Sequence, residues 1–146
     1  FLSQEWPINM HHFLSDSELD QLREGGVGIG VGSDAVSSMA TSVIPRYHFA
    51  SSRGLFFQRS PYLNQHPLHP NSPCTRFIGL GSVSTTKDKT KKWIHALSLE
   101  PITHMSNSDI SEVPAAVTDN PYIEVNKILS RPLTRDMSKE PIISND

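Results

Sequence analysis

Two short helices, each with a recognisable start and stop, occupy the first 45 residues, and this feature constrains the fold most. Ser15 and Glu18 have the spacing of a capping box, and Gly25 suits the end of that helix. Ser33 can cap a second helix that ends before Pro45. The residues predicted to face inward from the second helix are Val36, Met39, Ala40 and Val43.

The segments on either side of these helices favour strands. Phe1 to Pro7 is typical of a strand end followed by a loop. Residues 47–50 and 55–58 are β-rich and separated by hairpin length, and residues 76–83 and 92–99 are predicted as a second hairpin. The chain is therefore expected to combine helices with strands.

The composition changes after residue 100. Hydrophobic residues make up 36% of the 146 residues and charged residues 19%, with 11 prolines, which is less apolar than usual for one compact domain. From Pro101 aromatic residues become rare while Pro, Ser, Asn and Asp recur. These features predict a folded part over residues 1–100 and a disordered linker over 101–146. The first residue, Phe1, suggests an internal piece of a longer chain.

Charge and cysteine content limit the classes of partner. The formal net charge is −2, so the chain as a whole does not attract nucleic acid and any RNA contact must be local. Cys74 is the single cysteine, which rules out an internal disulfide and favours a reducing compartment. No run approaches the roughly 20 apolar residues that span a bilayer, so no membrane partner is predicted. The glycines of residues 25–33 have the spacing of neither common nucleotide-binding loop.

Five segments in order resemble the CwfJ-type, Cwf nineteen-like splicing proteins, relatives of the RNA lariat debranching enzyme. Their sequences are L-S-Q-E-W-P at residues 2–7, P-R-Y-H-F-A at 45–50, P-Y-L-N at 61–64, T-R-F-I-G-L at 75–80 leading to K-W-I-H-A-L-S-L at 92–99, and V-T-D-N-P-Y at 117–122. The resemblance implies that residues 1–100 are the C-terminal part of a calcineurin-like metallophosphoesterase domain, an α/β sandwich. It also implies that residues 101–146 lead towards a CwfJ-type C-terminal region.

Three positions that the resemblance assigns to metal ligands carry unsuitable residues. A two-metal phosphoesterase needs imidazoles and carboxylates around two ions roughly 3.5–4 Å apart. Where debranching enzymes carry histidines, this chain has Gln4, Ser52 and Gly54. An amide binds metal poorly, and glycine has no side chain. The chain is therefore expected to hold no metal, use no cofactor and catalyse nothing.

Other histidines of the chain are candidates for replacement ligands. The adjacent pair His11 and His12 would point to different sides of an extended chain, and His48 on a strand is more often a hydrogen-bonded structural residue. His66 and His69 lie next to prolines, which excludes a regular helical pair of ligands.

Arginines beside aromatic residues suggest an RNA surface, since guanidinium groups bind phosphate and rings stack on bases. The competing interpretation is that the aromatic residues are core and the arginines merely solvated. Lysines at 87, 89, 91 and 92 could add a basic edge or form only a soluble loop. The binding candidates are Trp6, Arg46, Arg53, Arg59, Tyr62, Asn64 and Arg76.

The resemblance implies a nuclear, non-catalytic splicing factor that associates with the post-splicing intron-lariat spliceosome and assists the RNA lariat debranching enzyme. Two alternatives stay open from the sequence. One is an active metal-dependent phosphodiesterase on branched or cyclic RNA, and the other is an RNA-binding module that uses the arginines and the lysine edge.

Overall fold

The chain folds as a mixed α/β structure around a four-stranded sheet. The computed structural model describes residues 1–64, 71–85, 88 and 91–122. In chain order, its elements are β1 (Leu2–Ser3), α1 (Asp16–Glu24), α2 (Asp34–Val43), β2 (Tyr47–Ala50), β3 (Phe57–Gln58), β4 (Arg76–Gly79), a 3-10 turn (Ile102–His104) and α3 (Asn107–Ile110). The α/β class predicted from the sequence is confirmed.

The sheet has the order β1-β2-β4-β3, with parallel pairing except for β3. Parallel neighbours need a crossover between them, and α1 and α2 supply the crossover from β1 to β2. The carboxyl ends of β1, β2 and β4 therefore lie at one edge of the sheet. Within the described residues, no helix is long and apolar enough to cross a membrane.

Helix α1 begins and ends where its local signals predict. The Ser15 backbone N–H donates to Glu18 Oε2 at 2.9 Å, and the Ser15 hydroxyl accepts from the Glu18 backbone N–H, so the capping box is complete. At the other end, the Gly25 N–H donates to the Gln21 carbonyl at 3.0 Å. These contacts satisfy backbone groups that have no partner within the helix.

Helix α2 begins at the predicted cap, Ser33, but its predicted inward face is partly wrong. Met39 and Val43 are 52% and 57% exposed, whereas Ser37 and Ala40 are fully buried. The Ser37 hydroxyl donates to the Ile8 carbonyl at 2.9 Å. Small residues on this face let the helix approach the neighbouring backbone closely, which larger apolar residues would prevent.

Both predicted hairpins are wrong. β2 pairs in parallel with β1 and β4, while β3 pairs antiparallel with β4 through Phe57 opposite Gly79. β4 ends at Gly79, and the described residues 92–99 contain no strand, although the Gly81 N–H donates to the Lys92 carbonyl at 2.9 Å. The short loops predicted pairing between strands that are neighbours in the sequence. In the structure, β2 instead pairs with β1 and β4, which are distant in the sequence.

Aromatic side chains form the centre of the core. Trp6 packs against Phe57 and Phe77 with ring centroids 6.1 and 5.1 Å apart. Tyr62 and Tyr122 form an edge-to-face pair at 5.5 Å, and Tyr122 is fully buried. Tyr122 lies within the stretch predicted as linker, so this stretch contains packed residues up to 122. The remainder of the predicted linker, residues 123–146, lies outside the described residues.

Candidate functional site

The carboxyl edge of the sheet carries the three positions at which metal-binding side chains are missing: Gln4, Ser52 and Gly54. The Gln4 carbonyl accepts hydrogen bonds from the Ser51 and Ser52 N–H groups at 3.2 and 2.9 Å. Gly54 has a φ of 68°, and a Cβ there would lie 3.0 Å from the hydroxyl of Ser82, which follows β4. This is the edge at which open α/β sheets usually bind ligands.

The side chains at this edge do not fit a two-metal centre. No group of three or more His, Cys, Asp or Glu suited to a metal occurs among the residues that the structure describes. Glu5 is the acidic group beside Ser52: it accepts from the Ser52 hydroxyl at 3.5 Å and pairs with Arg53 at 3.7 Å. One carboxylate already facing a guanidinium does not provide the imidazole and carboxylate set that the chemistry needs.

The described histidines among the alternative ligands do not complete a metal site. His48 is fully buried, shares a 2.8 Å hydrogen bond between Nε2 and the Ser3 hydroxyl, and packs against Phe1 and Phe77. The rings of His11 and His12 are 4.6 Å apart in an edge contact. Burial and the neighbouring His12 lower the pKa of His11. His66 and His69 lie outside the described residues.

The environment of His48 predicts acid sensitivity. Burial lowers the pKa of His48. The unfolded chain binds the proton more readily than the folded one, so stability should be full above about pH 6.5 and fall as the pH drops below that value. Each unit by which the pKa is lowered should cost at most about 1.4 kcal/mol at acidic pH.

This pH effect can be measured by chemical denaturation between pH 8 and pH 4, with His48→Gln as the comparison. The variant keeps a polar group near Ser3 but cannot gain a proton, so its stability should fall less over the same range. Parallel curves for the two proteins would contradict the assignment to His48.

Four of the predicted binding residues lie inside the protein. Trp6 and Tyr62 are each 1% exposed, Arg59 is 3% exposed and Asn64 is 9% exposed. The Asn64 amide donates to the Pro73 carbonyl at 2.7 Å and to the Thr75 hydroxyl at 2.8 Å. A surface contact with RNA through these side chains is therefore wrong for this conformation, and the competing interpretation of buried aromatic residues holds for Trp6 and Tyr62.

Arg59 connects several separate segments. Its Nε donates to the Met10 carbonyl at 2.8 Å, and its Nη2 donates to the His12 carbonyl at 2.7 Å. Its Nη1 donates to the Ser60 carbonyl and, at 2.9 Å, to the Thr118 hydroxyl. Burial lowers the pKa of Arg59. The guanidinium group thus makes four hydrogen bonds, and these connect separate segments of the fold, a role that its sequence neighbourhood did not indicate.

Two of the family-like motifs are joined in space. The Thr118 N–H donates to the Pro61 carbonyl at 2.8 Å, and the Leu63 N–H donates to the Thr118 carbonyl at 3.0 Å. The Tyr122 N–H donates to the Asn120 side-chain oxygen at 2.8 Å. Residues 118–122 therefore pack against the P-Y-L-N segment. The order of the two motifs in the sequence was visible, but their contact was not.

The surface candidates Arg46 and Arg76 both lie beside the ring of Tyr47. Their guanidinium carbons are 5.6 and 5.7 Å from the centre of that ring. Tyr47 and Phe49, two residues apart on β2, are nearly parallel with centroids 6.3 Å apart. All four side chains are partly exposed. The remaining candidate, Arg53, lies at the other end of β2 and pairs with Glu5.

The predicted lysine edge is described only in part, because Lys87 and Lys89 lie outside the described residues. Lys91 and Lys92 are exposed. The Lys92 ammonium lies 4.7 Å from the centre of the Phe56 ring and 2.8 Å from His95 Nδ1. Cys74 is buried, consistent with the role of a small core residue.

Fold and site together define a small mixed α/β domain whose described residues hold no metal-ligand cluster at the carboxyl edge of the sheet. No family model matches the chain. Zinc finger CCCH domain-containing protein 64 of Arabidopsis thaliana is 39% identical over 84% of the chain and 19% of its own length. Human CWF19-like protein 1 is 36% identical over 83% of the chain and 21% of its length, and the Xenopus laevis protein of that name is 39% identical over 66% and 18%.

The chain belongs to the family of CWF19-like proteins, as its motifs predicted. It spans about a fifth of the length of the curated relatives it matches. The name of the Arabidopsis relative refers to a CCCH zinc finger, which takes three cysteines and one histidine. This chain has the single cysteine Cys74 and does not supply such a finger by itself.

Proposed function

We propose that this chain is part of a nuclear, non-catalytic splicing factor that associates with the post-splicing intron-lariat spliceosome and assists the RNA lariat debranching enzyme. In this proposal, the described sheet is the C-terminal part of a metallophosphoesterase-like sandwich that has become a docking platform. The names of the CWF19-like relatives support a splicing-related role and do not mention an enzymatic activity.

The observation that carries the proposal is the chemistry of one edge of the sheet. Gln4, Ser52 and Gly54 converge where ligand-binding loops of a parallel sheet gather, yet they offer an amide, a hydroxyl and no side chain. A sheet edge that offers these groups in place of imidazoles supports a role in recognition rather than in hydrolysis.

The test is the rate at which the debranching enzyme opens a 2′,5′-branched RNA, measured with and without the full-length protein. We expect faster opening when both proteins are present. We expect no cleavage by the full-length protein alone with Mn²⁺. An unchanged rate would contradict the accessory role.

The same assay examines the alternative of an active phosphodiesterase. Cleavage of branched or cyclic RNA by this protein alone would require ligands from another part of the full-length chain. A matched variant, Glu5→Gln, removes the acidic group at the edge. If the protein alone cleaves and Glu5→Gln abolishes that cleavage, the edge is catalytic and the proposal fails.

A further inference from the structure

We propose that Arg46, Tyr47 and Arg76 form a binding site for single-stranded RNA at the start of β2 and β4. This goes beyond the accessory role, because the site lies at the opposite end of the strands from Gln4 and Ser52. The two guanidinium groups would contact phosphates. The flat faces of the guanidinium groups and of the aromatic rings would stack against bases.

The sheet itself determines the arrangement of the site. Tyr47 and Arg76 are paired positions on adjacent parallel strands, so their side chains project from the same face. The Arg76 N–H donates to the Arg46 carbonyl at 3.0 Å, which fixes the backbone of both arginines. Phe49 lies two residues further along β2 on the same face and extends the aromatic surface. The groups are therefore held in place before any ligand arrives.

The charge at this site is unbalanced. Within the part of the chain that the structure describes, neither Arg46 nor Arg76 forms an ion pair with a carboxylate. Arg46 uses one Nη1 donor for the Glu100 carbonyl at 3.0 Å, and a guanidinium has five donors. The other described arginines are committed elsewhere: Arg23 pairs with Asp20, Arg53 pairs with Glu5, and Arg59 is buried.

Two uncompensated positive charges around one ring favour a polyanion that also carries flat, apolar groups. Single-stranded RNA meets both requirements, because its bases are free to stack while its phosphates meet the guanidinium groups. In a duplex the bases are already stacked, so only the phosphate contacts would remain. A chain with a net charge of −2 can therefore still bind RNA locally at this face.

The experiment measures binding of a fluorescein-labelled oligouridylate to the full-length protein by fluorescence anisotropy over a range of salt concentrations. The double variant Arg46→Gln with Arg76→Gln should weaken binding about tenfold or more and reduce the salt slope by about 1.4, since each lost phosphate contact on a single strand contributes about 0.7.

Tyr47→Leu should weaken binding about tenfold through lost stacking, with the salt slope unchanged. Arg23→Gln, which removes one positive charge from an exposed arginine on α1, should leave the affinity unchanged.

A second variant separates loss of contact from loss of fold. Arg46→Lys with Arg76→Lys keeps both charges, so the salt slope should stay near that of the wild type while the affinity falls through lost planar stacking. Equal weakening by Arg23→Gln, or unchanged affinity in the double glutamine variant, would overturn the site. Tighter binding of a duplex, or full competition by a polyglutamate peptide at matched charge, would overturn the assignment to single-stranded RNA.

Discussion

Arg59→Met is expected to loosen three segments of the protein at once. The substitution keeps much of the apolar bulk but removes the donors that reach Met10, His12 and Thr118. The buried Met10 carbonyl and the partly buried His12 carbonyl would lose this donor, and the cost should be about 3–5 kcal/mol. Hydrogen exchange measured by mass spectrometry on the full-length protein should show faster exchange in residues 8–14 and 117–122, as well as around residue 59.

The matched control is Arg23→Met, which removes an exposed arginine paired with Asp20 at 2.7 Å. An exposed pair of this kind contributes about 0–1 kcal/mol, so exchange should change little. Faster exchange confined to the immediate neighbours of residue 59 would show that Arg59 does not connect the segments.

Gly79→Ala is expected to destabilise the core of the sheet by about 3 kcal/mol, near the upper end of ordinary overpacking. A Cβ at this position would overlap Trp6 Cζ2, and Trp6 is 1% exposed with Phe57 and Phe77 packed against it. The indole has little room to move away. Urea unfolding of the full-length protein, followed by protease susceptibility of residues 1–100, should show a lower midpoint.

Two further variants test the steric explanation. Gly28→Ala is the matched control, because its Cβ would meet only the Val31 side chain, at 3.0 Å. Trp6→Phe removes the atoms that would clash, so combining it with Gly79→Ala should cost less than the sum of the two single changes. Strict additivity of the two substitutions would mean that the clash with Trp6 is not the cause.

The helices were predictable because their signals are local. The capping box of Ser15 with Glu18 and the cap at Ser33 involve backbone groups within one turn, so neighbouring residues are sufficient to place them. The inward face of α2 was harder to predict. Periodicity favoured the large residues Met39 and Val43, but close packing against the Ile8 backbone required the small residues Ser37 and Ala40.

Strand pairing could not be predicted from the same kind of signal. Residues 47–50 and 57–58 are close in sequence, yet β2 pairs with β4 across 29 positions, from Tyr47 to Arg76. A parallel pair depends on burial of both faces and on the crossover, not on a turn. The sequence identifies extended segments, while the partners of each segment depend on the whole sheet.

For the candidate site residues, too, the sequence predicts some properties and the structure is needed for others. The sequence shows which chemical groups Gln4, Ser52 and Gly54 carry. The structure adds that all three lie at one edge of the sheet. The sequence did not predict whether an arginine side chain lies at the surface or in the interior. Arg59 lies two residues after Phe57 in the sequence and Arg76 lies next to Phe77, but Arg59 is buried and Arg76 is partly exposed.

By itself, then, the sequence determined the two capped helices, the α/β class, the membership of the CWF19-like family and the absence of imidazole at Gln4, Ser52 and Gly54. Only the tertiary structure decided the strand order, the packing of residues 118–122 on the P-Y-L-N segment, and which arginines are buried or partly exposed. The physical reason is the distance along the chain between the residues that determine each property. Caps and side-chain chemistry are properties of a few neighbouring atoms, whereas burial and pairing depend on segments far apart in the chain, which meet only when the core forms.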